Sequence, residues 1–210
     1  MLLLSQDPLI IAATMLSVVV AITVHEFAHA LSADLAGDPT PRATGRISLN
    51  PLNHFDLIGT IMFLFFGFGW AKPVQINPAL LRHPRRDSML IALWGPLSNF
   101  LTAIVFGLLL RFVTLNPYGG LNILLNLLVL LSINLGVFNL LPIFPLDGSH
   151  IVTGLLPADK AYRFSFWSAR YGMILLVVFL VTRGFQVLFT YVCVPLYVLI
   201  VGPYHALFAR

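Results

Sequence analysis

Charge is what this chain has least of. Of 210 residues only 10% are Asp, Glu, Lys or Arg, while 59% are hydrophobic. Soluble globular domains carry about 25% charged residues. A water-soluble fold of this length is therefore excluded, because too few polar side chains remain to cover so much apolar surface. Cysteine is nearly absent as well. The single Cys193 rules out an intramolecular disulfide and a cysteine-clustered zinc site; inside an apolar stretch it reads as structural. There is no basic face interleaved with aromatics, so the net charge of +4 does not point to nucleic acid. Met1 to Pro8 carry no Lys or Arg, and the next apolar run is too long for a signal peptide, so it is expected to stay in the mature protein. Repeats and low-complexity tracts are also lacking. The chain reads as one membrane-embedded domain over 1–210, with a core over about 9–151 and C-terminal helices over about 165–203.

What is present is a series of apolar runs separated by short basic loops, which predicts an all-α polytopic membrane protein with about five to six transmembrane helices. The first run, Leu9 to Leu35, is long enough to cross a bilayer and stops at Gly37-Asp38-Pro39. Arg42 and Arg46 follow, so the positive-inside rule puts the N-terminus outside and this loop in the cytoplasm. The second run, Leu57 to Phe68, is short. If it crossed, the basic stretch Arg82-His83-Pro84-Arg85-Arg86 would lie outside, against that rule. A re-entrant segment that dips and returns is expected instead, because irregular backbone at depth is tolerated where protein or a water cavity covers it. The third run, Met89 to Leu110, ends at Arg111, and Asn116-Pro117-Tyr118-Gly119-Gly120 is a turn. The fourth, Leu121 to Leu141, returns toward the cytoplasm and breaks at Pro142 and Pro145. Lys160, Arg163 and Arg170 mark another cytoplasmic loop. Tyr171 to Val201 is interrupted at Arg183-Gly184 and reads as two helices with the C-terminus inside, one long tilted helix being the alternative.

Ionisable residues inside such runs are costly, and their default reading is functional. The first run contains His25-Glu26-Phe27-Ala28-His29. On a helix, residues i and i+4 differ by about 40° in azimuth and about 6 Å in height, so both imidazoles can grip one zinc ion. Glu26 lies one residue round the helix, where its carboxylate can take a proton from attacking water and return it to a leaving amine. The alternative is a chance match of three residues. A catalytic zinc site asks for a third protein ligand and an open position. Asp147, at the end of the fourth run, lies at a depth similar to that of His25 and His29 by topology; a capping or loop aspartate is the bland reading.

These residues resemble a known family. The sequence HEFAH in a transmembrane helix, then Gly95-Pro96-Leu97-Ser98-Asn99, then Asn139-x-x-Pro142-x-x-Pro145-Leu146-Asp147-Gly148, is similar to the site-2 proteases, intramembrane zinc metalloproteases. The likeness covers roughly Val20 to Ile151. It implies zinc bound by His25, His29 and Asp147, with Glu26 as general base and Asn99 assisting near the metal. It also implies a membrane-dipping, β-like loop over Phe68 to Asn77, transmembrane protein substrates, and a site near the cytoplasmic side of a prokaryotic cytoplasmic (inner) membrane. With no room for a PDZ insertion and no C-terminal regulatory domain, the chain looks like a minimal prokaryotic form.

Asn99 is expected one turn inside the third helix, its amide donating to an oxyanion or holding substrate backbone; helix-to-helix glue is the alternative. Gly95-Pro96 allows a helix start or kink and close backbone approach. Asn139 leans structural, His150 suits a place behind the metal ligands, and His54, His83 and His205 read as loop histidines without a role. The extended Gly69-to-Asn77 stretch could pair with an unwound substrate as an added strand. Two rival functions stand beside the protease. One is a membrane metal transporter, which should carry polar residues at several depths. The other is an inactive scaffold, which should have lost a ligand or the base. Substrate identity, and whether the chain acts alone or as a homo-oligomer in the lipid bilayer, are left open.

Overall fold

In a computed structural model, residues 7–66, 69–113, 115–116, 119–203 and 205 are described. The first apolar run becomes one 29-residue helix, α1 (Pro8–Ala36). Asp7 starts it by accepting a hydrogen bond from the Leu9 N–H at 2.9 Å, and Pro8 presets its first turn. Gly37, at φ 112°, ends it in the left-handed conformation that glycine adopts without strain. After the short α2 (Thr40–Ala43), α3 (Leu57–Phe66) has only ten residues. At about 1.5 Å per residue it covers about half of a hydrocarbon core. The expected second run ended at Phe68; Gly67 and Phe68 lie outside the described residues. No strand forms among the described residues, and the expected β-like loop is reduced to one antiparallel bridge, Phe55 with Ala71.

The long helices follow: α4 (Pro84–Phe112), α5 (Gly120–Asn139), the nine-residue α6 (Asp147–Leu155) and α7 (Ala158–Val181). Then α8 (Gly184–Leu188), a π turn (Phe189–Cys193) and α9 (Val194–Val201) run on as one span. Among the described residues five helices are long and apolar enough to cross a membrane: α1, α4, α5, α7 and the Gly184–Val201 span. The protein is thus an all-helical integral membrane protein. Arg183, at φ 63°, makes the break between α7 and α8, so the C-terminal region is two helices.

Several expected boundaries shift. Lys160, Arg163 and Arg170 lie inside α7, and Arg85 and Arg86 open α4. Apolarity marks where a helix meets lipid, and charged residues with good helix propensity extend it beyond. For the same reason Asn99 sits in the middle of α4 rather than one turn in. Proline 96 is inside that helix as well.

Helices α1, α4 and α5 pack against one another, α6 lies on α4, and α9 closes against α4 and α5. The apolar core joins Ala103 and Leu110 of α4 to Val129 and Ile133 of α5, and to Cys193, Tyr197 and Val201 at the C-terminal end. Within it the Tyr197 hydroxyl donates to Asn126, and Asn126 donates to the Asn122 side-chain oxygen at 2.6 Å. The first of these joins α9 to α5, a polar link of the kind that holds helices together where lipid offers no hydrophobic drive, and the second, within α5, orients the Asn126 amide.

Candidate metal centre

His25 and His29 lie one turn apart toward the C-terminal end of α1, and both are buried. Asp147 arrives from elsewhere, as the first residue of α6. The loop before it is tied down locally. The Leu146 N–H donates to the Ile143 carbonyl at 2.8 Å, and Ser149 returns to the Leu146 carbonyl through its N–H at 3.0 Å and its hydroxyl at 2.8 Å. Gly148 sits so near the end of α5 that a Cβ there would lie 2.3 Å from the carbonyl oxygens of both Leu140 and Leu141. Asp147 Oδ2 is thereby held 3.1 Å from His25 Nε2 and 3.3 Å from His29 Nε2, and the two Nε2 atoms are 3.0 Å apart.

What stands behind these three atoms decides where the protons are. His29 Nδ1 faces the Ile91 carbonyl at 2.8 Å, which can only accept. His25 Nδ1 lies 2.6 Å from Asn99 Oδ1, and Asn99 Nδ2 donates to the Ala21 carbonyl at 2.9 Å. Each neutral imidazole therefore spends its one proton at Nδ1 and turns a bare Nε2 lone pair inward. Asp147 Oδ2 adds a further acceptor, buried and without a hydrogen-bond partner. Three acceptors facing one another with no donor repel, and a cation between them removes the conflict. Tetrahedral zinc bonds of about 2.0–2.1 Å set ligand atoms about 3.3 Å apart, close to the edges of 3.0–3.3 Å found here. The three residues fit a zinc ion.

A cavity of about 370 Å³ opens on this triangle, lined also by Glu26, Val74, Asn139 and His150. Glu26 Oε2 accepts from the Val74 N–H at 3.3 Å. A larger cleft of about 550 Å³ between α1 and α4, lined by Phe27, Leu31, Trp94 and Phe106 among others, has no titratable lining residue and is not the chemical site.

The structure thus brings His25, Glu26, His29 and Asp147 to one cavity. Asn99 departs from expectation. It is fully buried and does not line the cavity, with its amide turned to His25 Nδ1 and the Ala21 carbonyl, so it does not face the space where an oxyanion would form. His54 departs too: it is fully buried and its Nε2 donates to the Ser48 carbonyl at 2.7 Å. Sequence reading missed the contact of Gly95 with both imidazoles. The Val74 hydrogen bond to the base was also missed, since neither contact leaves a pattern along the chain.

The profile of peptidase family M50 matches residues 114–181, the stretch that carries Asp147. Over 176 residues the chain is 36% identical to "Putative zinc metalloprotease YwhC" of Bacillus subtilis, covering 80% of this chain and 79% of that one. It is also 37% identical over 79 residues to "Zinc metalloprotease MJ0392" of Methanocaldococcus jannaschii, 38% of this chain and 23% of that one. No solved structure matches. The chain belongs to peptidase family M50, the site-2 protease family of zinc-dependent metalloproteases, and its substrates are proteins.

Proposed function

We propose that this chain is a zinc-dependent intramembrane endopeptidase. It hydrolyses peptide bonds in or near transmembrane segments of other membrane proteins, as a single membrane-embedded domain with its site near the cytoplasmic side of the prokaryotic cytoplasmic membrane. One observation carries the reading: a donor-free triangle of two imidazole nitrogens and a carboxylate oxygen, set among membrane-length helices, with Glu26 on the same cavity. His25, His29 and Asp147 hold the metal. Zinc bound there polarises a carbonyl and makes water a stronger acid. Glu26, steadied by the Val74 N–H, is the general base that takes the water's proton and passes it to the leaving amine. Asn99 fixes the ring of His25, and the Ile91 carbonyl fixes that of His29, so that both lone pairs converge.

A helical substrate hides its carbonyls in hydrogen bonds and must unwind before it is cut. The irregular strap Lys72–Asn77 suits an unwound chain. The Val74 carbonyl and the N–H and carbonyl groups of Gln75 and Ile76 make no hydrogen bond among the described residues, so they can pair with an added strand. The re-entrant reading of Leu57 to Phe68 gains support from the chain on either side of it. Phe55 bridges Ala71 and the Lys72 N–H donates to the His54 carbonyl at 2.8 Å, so the excursion returns to where it left.

Two measurements test this. Purified protein in detergent should hold about one zinc per chain, Asp147→Ala should hold little, and Asn99→Ala should bind about 10–100-fold more weakly. Full zinc in Asp147→Ala would remove that carboxylate from the metal. For the strap, proline belongs at Gln75, because the Val74 N–H is already committed to Glu26. Gln75→Pro should raise KM for a quenched transmembrane peptide about tenfold through one lost hydrogen bond, with zinc retained. An unchanged KM would end the strand idea.

A further inference from the structure

Two charged residues are buried near the strap, and neither is paired with an opposite charge among the described residues. Arg46 is 5% exposed and Asp38 0%. Arg46 spends its guanidinium on main-chain carbonyls alone: Nη1 donates to Asn53 and to Lys72 (3.3 Å), and Nη2 donates to Pro73 (3.3 Å). Asp38 accepts from the main-chain N–H groups of Thr40 at 3.0 Å and Asn77 at 2.6 Å, and from the Thr40 side chain. Burial alone pushes the Asp38 carboxyl up, but the hydrogen bonds from Thr40 and Asn77 outweigh it and hold the group below the usual carboxylate range. Lys72 and Asn77 are the two ends of the strap. Each end is gripped by a charge of opposite sign, and between them lie the groups that touch Glu26 or remain unpaired.

We infer that Arg46 and Asp38 are positioning residues that pin the strap Lys72–Asn77 at both ends, so that its middle forms one wall of the catalytic cleft and steadies Glu26. This rests on the protease reading above. The physical need is plain. Among the described residues the strap has no neighbouring strand to hold it, and Pro73 and Pro78, inside it and just after it, lack an N–H. Ordinary ladder bonds would also consume the very groups a substrate chain must find free. Charge-assisted hydrogen bonds are roughly twice as strong as neutral ones, so a few at the ends can replace a ladder and leave the centre open. The anchors also reach different parts of the fold. Asp38 follows directly on α1, which carries His25, Glu26 and His29. Arg46 ties the other end to the loop around Asn53, where buried His54 also accepts from Lys72. Sequence reading took Arg46 only as a marker of the cytoplasmic side, and its burial shows a second use. Arg42, by contrast, is exposed and pairs with Asp34 at 2.6 Å.

The test is hydrogen exchange, read by mass spectrometry on the full zinc-loaded chain in detergent, for Arg46→Gln, Arg46→Lys and Asp38→Asn. Arg46→Gln should speed exchange at Lys72 and Val74 about tenfold, and Asp38→Asn should do so at Asn77, each through lost hydrogen bonds. Helices α1 and α4 around His25 and Ile91 should keep wild-type protection, and zinc content should not change. Arg46→Lys, which keeps a cation for the carbonyls, should recover most of the protection. In parallel, kcat/KM for the quenched transmembrane peptide should fall in Arg46→Gln and recover in Arg46→Lys. Unchanged strap exchange overturns the inference. So does exchange rising equally through α1 and α4, which would make these residues supports of the whole fold. Failure of the protease reading looks different: no cleavage of the quenched peptide by the zinc-loaded wild-type chain would sink that reading and leave the exchange result standing.

Discussion

Glu26→Gln should abolish cleavage while leaving zinc in place. The change keeps the size of the side chain, and the glutamine oxygen can still accept from the Val74 N–H, which lies 3.3 Å from Glu26 Oε2. What is lost is the ability to carry a proton. General acid–base catalysis by a placed side chain is worth about 10²- to 10⁴-fold, so the rate should drop by at least about 100-fold. Zinc content should match wild type, because the triangle of lone pairs is built from His25, His29 and Asp147 alone. The assay is single-turnover cleavage of a quenched transmembrane peptide in detergent, with metal analysis on the same samples. A variant that keeps more than about a tenth of wild-type activity would show that Glu26 is not the base, since no general base acts so weakly. Loss of zinc along with activity would show that the carboxylate belongs to the metal shell.

The spans were legible because length and apolarity follow directly from the thickness of a bilayer. That is why Leu9 to Leu35 lies within α1 (Pro8–Ala36) and Leu121 to Leu141 overlaps α5 (Gly120–Asn139). The grouping of His25, His29 and Asp147 was legible for a related reason. Few ionisable side chains sit at membrane depth, and topology put Asp147 level with the two histidines. Other features left no such trace. Helix α6 is short, follows two prolines and opens with Asp147, so it reads as loop. The N-terminal turns of α4 and α7 are charged and were read as connections. Arg46 shows the deeper limit: a sequence reports that a charge exists, while its burial depends on residues such as Pro73 that come near only in the fold. Asn99 shows it again. Its chemistry suits an oxyanion, but its neighbours Ala21 and His25 claim both ends of the amide.

Gly95→Ala should empty the metal centre without touching a ligand. A Cβ at this position of α4 would lie 2.3 Å from His29 Nε2, 2.5 Å from His29 Cε1 and 2.7 Å from His25 Cε1. Carbon and nitrogen that are not bonded need well over 3 Å, near the 3.5–4.0 Å optimum for carbon pairs. Neither ring can step aside cheaply. His29 is held through Nδ1 by the Ile91 carbonyl and His25 by Asn99, and both partners are on α4 itself. Moving α4 away carries those partners with it, and swinging the rings breaks their hydrogen bonds and misaims both Nε2 atoms. The helix itself should tolerate alanine, which has the higher helical propensity. The expected result is helical protein with zinc affinity down by more than about 100-fold, beyond the range seen when only the groups behind a ligand are disturbed. Chelator competition on detergent-purified protein measures the affinity, and circular dichroism confirms the helices. Wild-type affinity in Gly95→Ala would mean that α4 does not press on the histidines as described, and that the absence of a Cβ at residue 95 serves the close packing of α1 and α4 alone.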